Sequence, residues 1–369
     1  MSAILTGQRR PQRGRSCRRL ARMRVPILVS TIAAGLALMA SPLAQAPQQQ
    51  APAPQGTAPP AAPILSPGPS AARYPVTNAD FDAYFHQVKN WGRWGVNDEL
   101  GTLNLITPAK RKQAAALVRV GQSVGLAHSP ITERDPDNAS PFEHTMNRGF
   151  TTDTYRVSYH GYAHSHLDAL CHILYKDQTY NGYSRAEVNT EKGCTKLGIQ
   201  SFRNGYVTRG ILMDIPRLKG VPYLEPGTPI FVEDLEAWEK RAGMKVGPGD
   251  ALLIRTGRWA RRAEKGPWNV GQNAAGLHAS VGAWLKARGV ALIGSDDALD
   301  VVPSLVEGVG LPVHTLAITA LGLNILDNQD LEALATLATA QKRWEFMLTV
   351  APVPVTGGTG FPVNALATF

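Results

Sequence analysis

The segment Tyr159–His172 reads YHGYAHSHLDALCH and holds four of the chain's nine histidines, His160, His164, His166 and His172, with one carboxylate, Asp168, among them. Along an extended strand side chains alternate faces, so His164, His166 and Asp168, spaced by two, project to one side. Two imidazoles and a carboxylate on one face make an N,N,O set suited to Zn²⁺, Mn²⁺ or Fe²⁺. An ion with open positions binds water and brings its pKa towards neutrality, which yields hydroxide at physiological pH. His172 follows one turn later, close enough to shuttle a proton without being a ligand. A lone histidine is more often a packed core or surface residue; the H-x-H-x-D run with a further histidine four residues on favours the metal reading. His314 and Asp327, 13 residues apart, are weaker candidates on spacing alone.

Elements that would place this run can be read around it. Thr107-Pro108 supplies an N-cap with Pro at the first helical position, opening a helix to about Val118. Helices are also expected over 232–242, closed by Gly243, and over 277–288, ended by Gly289. Short apolar runs bounded by Gly or Pro, at 210–215, 251–254, 290–293 and 346–350, fit strands in a covered sheet. Interspersed helices and strands give an α/β (α+β) class, and the absence of a repeat or second linker favours a single domain.

The chain has 369 residues and a formal net charge of +9, but eight arginines lie within its first 24 residues and leave only +1 for the rest. A nearly neutral body excludes nucleic-acid binding. The basic start, an apolar run from Val25 to Ala40 and Ala44-Gln45-Ala46 form a signal peptide over 1–46, cut near Ala46, and Cys17 leaves with it. The run is short for a membrane span, so no stable span is expected after processing. Arg18-Arg19 fits a twin-arginine signal poorly. Residues 47–74 contain 19 Pro, Ala or Gln in 28 and read as a disordered tether. The domain proper is then 75–369, in the periplasm or secreted. There a Cys171–Cys194 disulfide is permitted, but Cys194, in a Gly-flanked loop, is expected to be free. Cys171 is a poor nucleophilic partner for His172, because adjacent strand residues face opposite ways.

These residues resemble the metal-dependent "cyclase" hydrolases that include bacterial kynurenine formamidase and isatin hydrolase. Of the signature H-x-G-T-H-x-D-A-P-x-H, His166-Leu-Asp168-Ala-Leu-Cys-His172 matches the second half. Supporting stretches are Arg93–Asn104, Arg209-Gly-Ile-Leu-Met-Asp214, Gly249–Gly257, Gly294-Ser-Asp296, Asp327-Asn328 and Gly357–Asn364. The resemblance implies a swivelling β/β/α fold, usually oligomeric, so a homo-oligomer is expected. It also implies a Zn²⁺ or Mn²⁺ centre that hydrolyses an amide, ester or lactone of a small substrate. It places metal ligands on His166 and Asp168 and the catalytic histidine on His172. The family's first ligand falls on Tyr162 and its glycine on His164. His164 is therefore expected to supply the missing imidazole, with a Tyr162 phenolate or His160 as alternatives. His314 and Asp327 would support the site or add a ligand; their spacing differs by one from the family's, so a single ion is expected. Trp94 could stack on a flat aromatic substrate. The rival readings are a metal-dependent lyase or true cyclase that stabilises an enolate, and a non-catalytic periplasmic protein that binds metal or ligand.

Overall fold

The computed structural model describes residues 75–369. The expected signal peptide with Cys17 and the Ala46 junction, and the tether over 47–74, lie outside the described residues. Nine strands form one mixed sheet: β1 (Ser123–Gly125), β2 (His166–Asp168), β3 (Tyr206–Asp214), β4 (Ala251–Arg255), β5 (Leu292–Ser295), β6 (Asn324–Asp327), β7 (Glu345–Val350), β8 (Gly360–Pro362) and β9 (Leu366–Thr368). Their spatial order is β1-β9-β7-β3-β4-β5-β6-β2-β8. The central β3, β4, β5 and β6 run parallel, whereas β2 pairs antiparallel with both β6 and β8. Every residue of β4, β5 and β6 is buried, which is why the stretches at β4 and β5 read as continuous apolar runs rather than alternating ones. The class is mixed α/β in a single domain, as expected.

Helix α1 (Asn78–Val88) starts at a capping box in which Thr77 and Asp80 each satisfy the other's backbone, and it buries Phe81, Phe85 and Val88 on one face. Helix α2 spans Pro108–Ala115 with Thr107 as its cap, and α3 spans Val232–Ala242, closed by a left-handed Gly243. The run expected from 116 to 118 has left the α-helix, with Leu117 N–H donating three residues back to Ala114. Helix α4 covers Arg258–Lys265 and α5 covers Val281–Arg288. The start expected at Leu277 is displaced because Gly276–Leu277 pairs instead with Pro229–Ile230. A short helix, Pro312–His314, continues as a π-helical turn, Thr315–Leu321, before α6 (Glu332–Gln341).

Buried ion pairs lock the sheet. Arg209 donates to Asp250 and Glu345, joining β3 to the start of β4 and to β7. Arg255 at the end of β4 reaches Asp214 of β3 at 2.9 Å and Glu332 of α6 at 2.7 Å. Asp296 accepts the Thr256 amide and hydroxyl and the Gly257 amide. Several family-like stretches are thus clamps between strands rather than chemistry. Gly294 matters for packing: a Cβ there would sit 2.7 Å from the Leu326 carbonyl oxygen of the neighbouring strand. Backbone cannot yield as a side-chain tip can, so Gly294→Ala should cost about 1–3 kcal/mol, read as a lowered denaturant midpoint with an unchanged slope.

Candidate metal centre

Strand β2 is only three residues long and lies buried between β6 and β8. Asp327 stands opposite His166 across the β6 ladder, and Gly360 stands opposite Asp168 across β8. Tertiary pairing therefore brings Asp327 beside His166, 161 positions earlier in the chain.

The centre is built around Asp168, which is 1% exposed. His166 Nε2 lies 3.3 Å from its Oδ1 and His160 Nδ1 lies 3.1 Å from the same atom. His172 Nε2 is 3.9 Å and His314 Nε2 4.0 Å from Oδ2. His314 Nε2 also lies 3.0 Å from Asp327 Oδ2. Two sets of donor atoms converge within 4.8 Å of one another, His166/Asp168/Asp327 and His160/Asp168/His172, with Asp168 common to both. The rings of His160 and His172 stack at 3.7 Å and 6°. The tautomers are constrained as well: His166 Nδ1–H donates to the His164 carbonyl at 2.8 Å, and His160 Nε2 meets Thr359 Oγ1 at 2.9 Å.

Both Asp168 oxygens and Asp327 Oδ1 are buried without a hydrogen bond of proper geometry. Buried polar atoms left this way are costly unless something else satisfies them. Nitrogen and carboxylate donors facing these atoms fit a divalent ion of the Zn²⁺, Mn²⁺ or Fe²⁺ type. The electrostatics agree in sign. Burial alone would raise Asp168, but contacts with His160 and His166 hold it well below the ordinary carboxylate range. Burial would lower His166 and His314, yet Asp168 and Asp327 raise the first, and Asp327 with Asp300 raises the second well above normal. For His172 burial prevails over Asp168 and lowers the pKa to about 4.

His164, the expected third ligand, does not join either set. Its Nε2 meets the Ser140 carbonyl at 3.1 Å, and its ring lines a separate cavity of about 200 Å³ with His128, Phe142 and Pro362. The strand begins only at His166, and the chain from Gly161 to His164 is bent, so the alternation that would align 164 with 166 does not reach back that far. His160, the alternative, approaches Asp168 instead, in the set that also holds His172. Tyr162 is half-buried; Arg258 donates to its carbonyl, and its ring packs so closely on Gly271 that a Cβ there would lie 2.8 Å away. Trp94 sits half-buried on a loop whose neighbouring carbonyls are held by the Asn181 amide, with Arg93 stacked 4.6 Å above its ring.

Asp300, Thr359 and Arg258 escape a reading of the sequence. The acid-rich run Ser295–Asp300 is a local signal for Asp300, and Thr359 lies inside the Gly-rich stretch Gly357–Gly360, where nothing in the sequence marks it as a histidine partner.

Cys171 and Cys194 form a disulfide, so neither is free. It closes a 23-residue separation and ties the turn bearing His172 to the 189–197 loop, where the Asn189 amide also donates to the Cys171 carbonyl. For a loop of that size the chain-entropy model gives about 3 kcal/mol, so Cys171→Ala/Cys194→Ala should lower the unfolding free energy by roughly that amount in non-reducing buffer. Equal stability of variant and wild type would mean that the crosslink constrains nothing.

A crystal structure described as that of a novel cyclase superposes with a TM-score of 0.69 at 30% identity, covering 76% of this chain and all of that one. Isatin hydrolase A from Ralstonia solanacearum gives 0.47 at 19% identity, over 69% of this chain and 93% of that one. A structure titled as a predicted metal-dependent hydrolase from Bacillus stearothermophilus gives 0.42 at 15%, over 68% and 98%. The last two likenesses carry no argument about chemistry. No curated protein sequence matches the chain. The Cyclase family model matches residues 77–299, over half of the chain and the whole histidine run, and the chain therefore belongs to the Cyclase family.

Proposed function

We propose that the protein is a metal-dependent hydrolase that opens an amide, ester or lactone bond of a small cyclic or aromatic substrate. The observation that carries this reading is Asp168: a fully buried carboxylate, neither oxygen hydrogen-bonded, ringed by four imidazoles. His166, Asp168 and Asp327 would hold one divalent ion, Zn²⁺ or Mn²⁺, with His314 as a further donor. Such an ion supplies a Lewis acid for the substrate carbonyl and makes an attacking water more acidic. His172, about a quarter exposed at its side chain and set beside Asp168, accepts the proton released from water and returns it to the leaving nitrogen or oxygen. His160 braces that ring by stacking and is itself held by Thr359.

We place the mature enzyme outside the cytoplasm, after cleavage near Ala46. The basic and apolar start of the chain supports this placement, and so does the disulfide, a bond that persists in oxidising compartments.

The test is metal analysis of protein purified without chelator, followed by turnover of aromatic formamides, cyclic imides and lactones in ¹⁸O-water. Stoichiometric metal and one solvent ¹⁸O per product are expected. Turnover without label would favour a lyase or cyclase, and tight ligand binding without turnover a binding protein.

A further inference from the structure

His314 faces the centre through Nε2, and its other ring nitrogen, Nδ1, meets Asp300. This carboxylate is wholly buried. Its Oδ2 accepts from His314 Nδ1 at 2.6 Å and from the His314 amide at 3.0 Å, and its Oδ1 accepts from the Val313 amide at 2.6 Å. Three donors thus converge on one side chain, two of them orphan N–H groups at the start of the helix that carries His314. The backbone of Asp300 is fixed in turn. Leu277 N–H donates to the Leu299 carbonyl at 2.8 Å and Val301 N–H to the Leu277 carbonyl at 3.1 Å. Gly276 lies so close that a Cβ there would fall within 2.6 Å of the Leu299 carbonyl oxygen.

We propose that Asp300 is a positioning residue of the metal centre: it keeps a proton on His314 Nδ1, so that Nε2, the nitrogen facing Asp168 and Asp327, is the one that gives up its proton and offers a lone pair when the ion binds. The inference rests on the metal reading above. An imidazole carries its single neutral proton on one nitrogen, and an ionised carboxylate can only accept. A carboxylate at Nδ1 therefore leaves Nε2 as the nitrogen able to coordinate, and such outer partners set ligand orientation and basicity. Asparagine at 300 keeps the size but can present its NH₂ to Nδ1, which would put the proton on Nε2 and block it.

The test uses Zn²⁺ alone as the probe and needs no substrate. Asp300→Asn should weaken Zn²⁺ binding by about 10–100-fold in a competition titration. In a His314→Ala background the same substitution should add no further loss, because Asp300 acts through His314. Equal losses in both backgrounds, or unchanged affinity in the single variant, would overturn the proposal. A ¹⁵N spectrum of the zinc-loaded wild type reads the tautomer without any variant and covers the case in which Asp300→Asn does not fold. Protonated Nδ1 and unprotonated, zinc-bound Nε2 on His314 are expected; the reverse overturns the assignment. Failure of the wild type to take up Zn²⁺ would instead sink the metal reading, and is a separate result.

Discussion

Asp168→Asn should leave a protein that folds but retains no metal and turns over substrate at least about 10³-fold more slowly, a loss of roughly 4 kcal/mol of transition-state stabilisation. Asp168 belongs to both sets of converging donors, so its removal disables each of them at once. Asparagine has the same shape but no charge to offset a divalent ion. It also presents an NH₂ to imidazoles that are themselves constrained, with His166 Nδ1 committed to a backbone carbonyl and His160 Nε2 to Thr359. A thermal melt separates this effect from a general loss of fold. For the wild type, metal at a hundredfold excess over its dissociation constant adds about 2.7 kcal/mol and raises Tm. In Asp168→Asn that increment should vanish while the metal-free Tm stays close to wild type. A variant whose Tm still climbs with added metal would show that the ion sits elsewhere.

Arg258→Met should be the most destabilising single change away from the centre, at about 3–5 kcal/mol. The guanidinium is wholly buried and binds four partners: Asn328 Oδ1 at 2.6 Å, Asp137 Oδ2 at 3.2 Å, Asp297 Oδ1 at 3.8 Å and the Tyr162 carbonyl. Asp137 would keep Arg262, which donates to it at 2.8 Å. Asp297 would lose the cation that holds its pKa down against burial, which has already raised it to about 6. A buried carboxylate with a raised pKa binds more protons folded than unfolded, so its contribution to stability is full at low pH and is lost as pH rises through the folded value. Without Arg258 that window extends upward. The deficit of the variant should therefore be smaller near pH 5 than near pH 8, as denaturant midpoints at the two pH values would show. A deficit under about 1 kcal/mol at pH 8, or one independent of pH, would mean that the network is not coupled as its geometry implies. Arg258→Lys should recover little, since one ammonium cannot span the same fork of acceptors.

Much of the architecture is local in origin and so was legible in the chain. Thr107-Pro108, Gly243 and Gly289 act through their own backbones and set helix ends that were found within a few residues. The covered strands announced themselves because burial on both faces leaves no polar alternation. His166 and Asp168 share one face for the same kind of reason: the period of two needs nothing beyond the strand itself. Where that strand begins is another matter. It is set by which residues find partners on β6 and β8, and pairing starts at His166, so His164 turned into a different cavity and His160 folded back over Asp168. Likewise Asp327, His314, Asp300, Thr359 and Arg258 reach the centre or its supports through sheet order and loop packing across gaps of up to about 200 residues. Sequence spacing carries no record of such distances. The chain's covalent order determined which chemistry was on offer, a carboxylate among imidazoles. Only the tertiary structure decided which of those imidazoles face it, because that choice is made by strand pairing and by buried acceptors contributed from elsewhere in the fold.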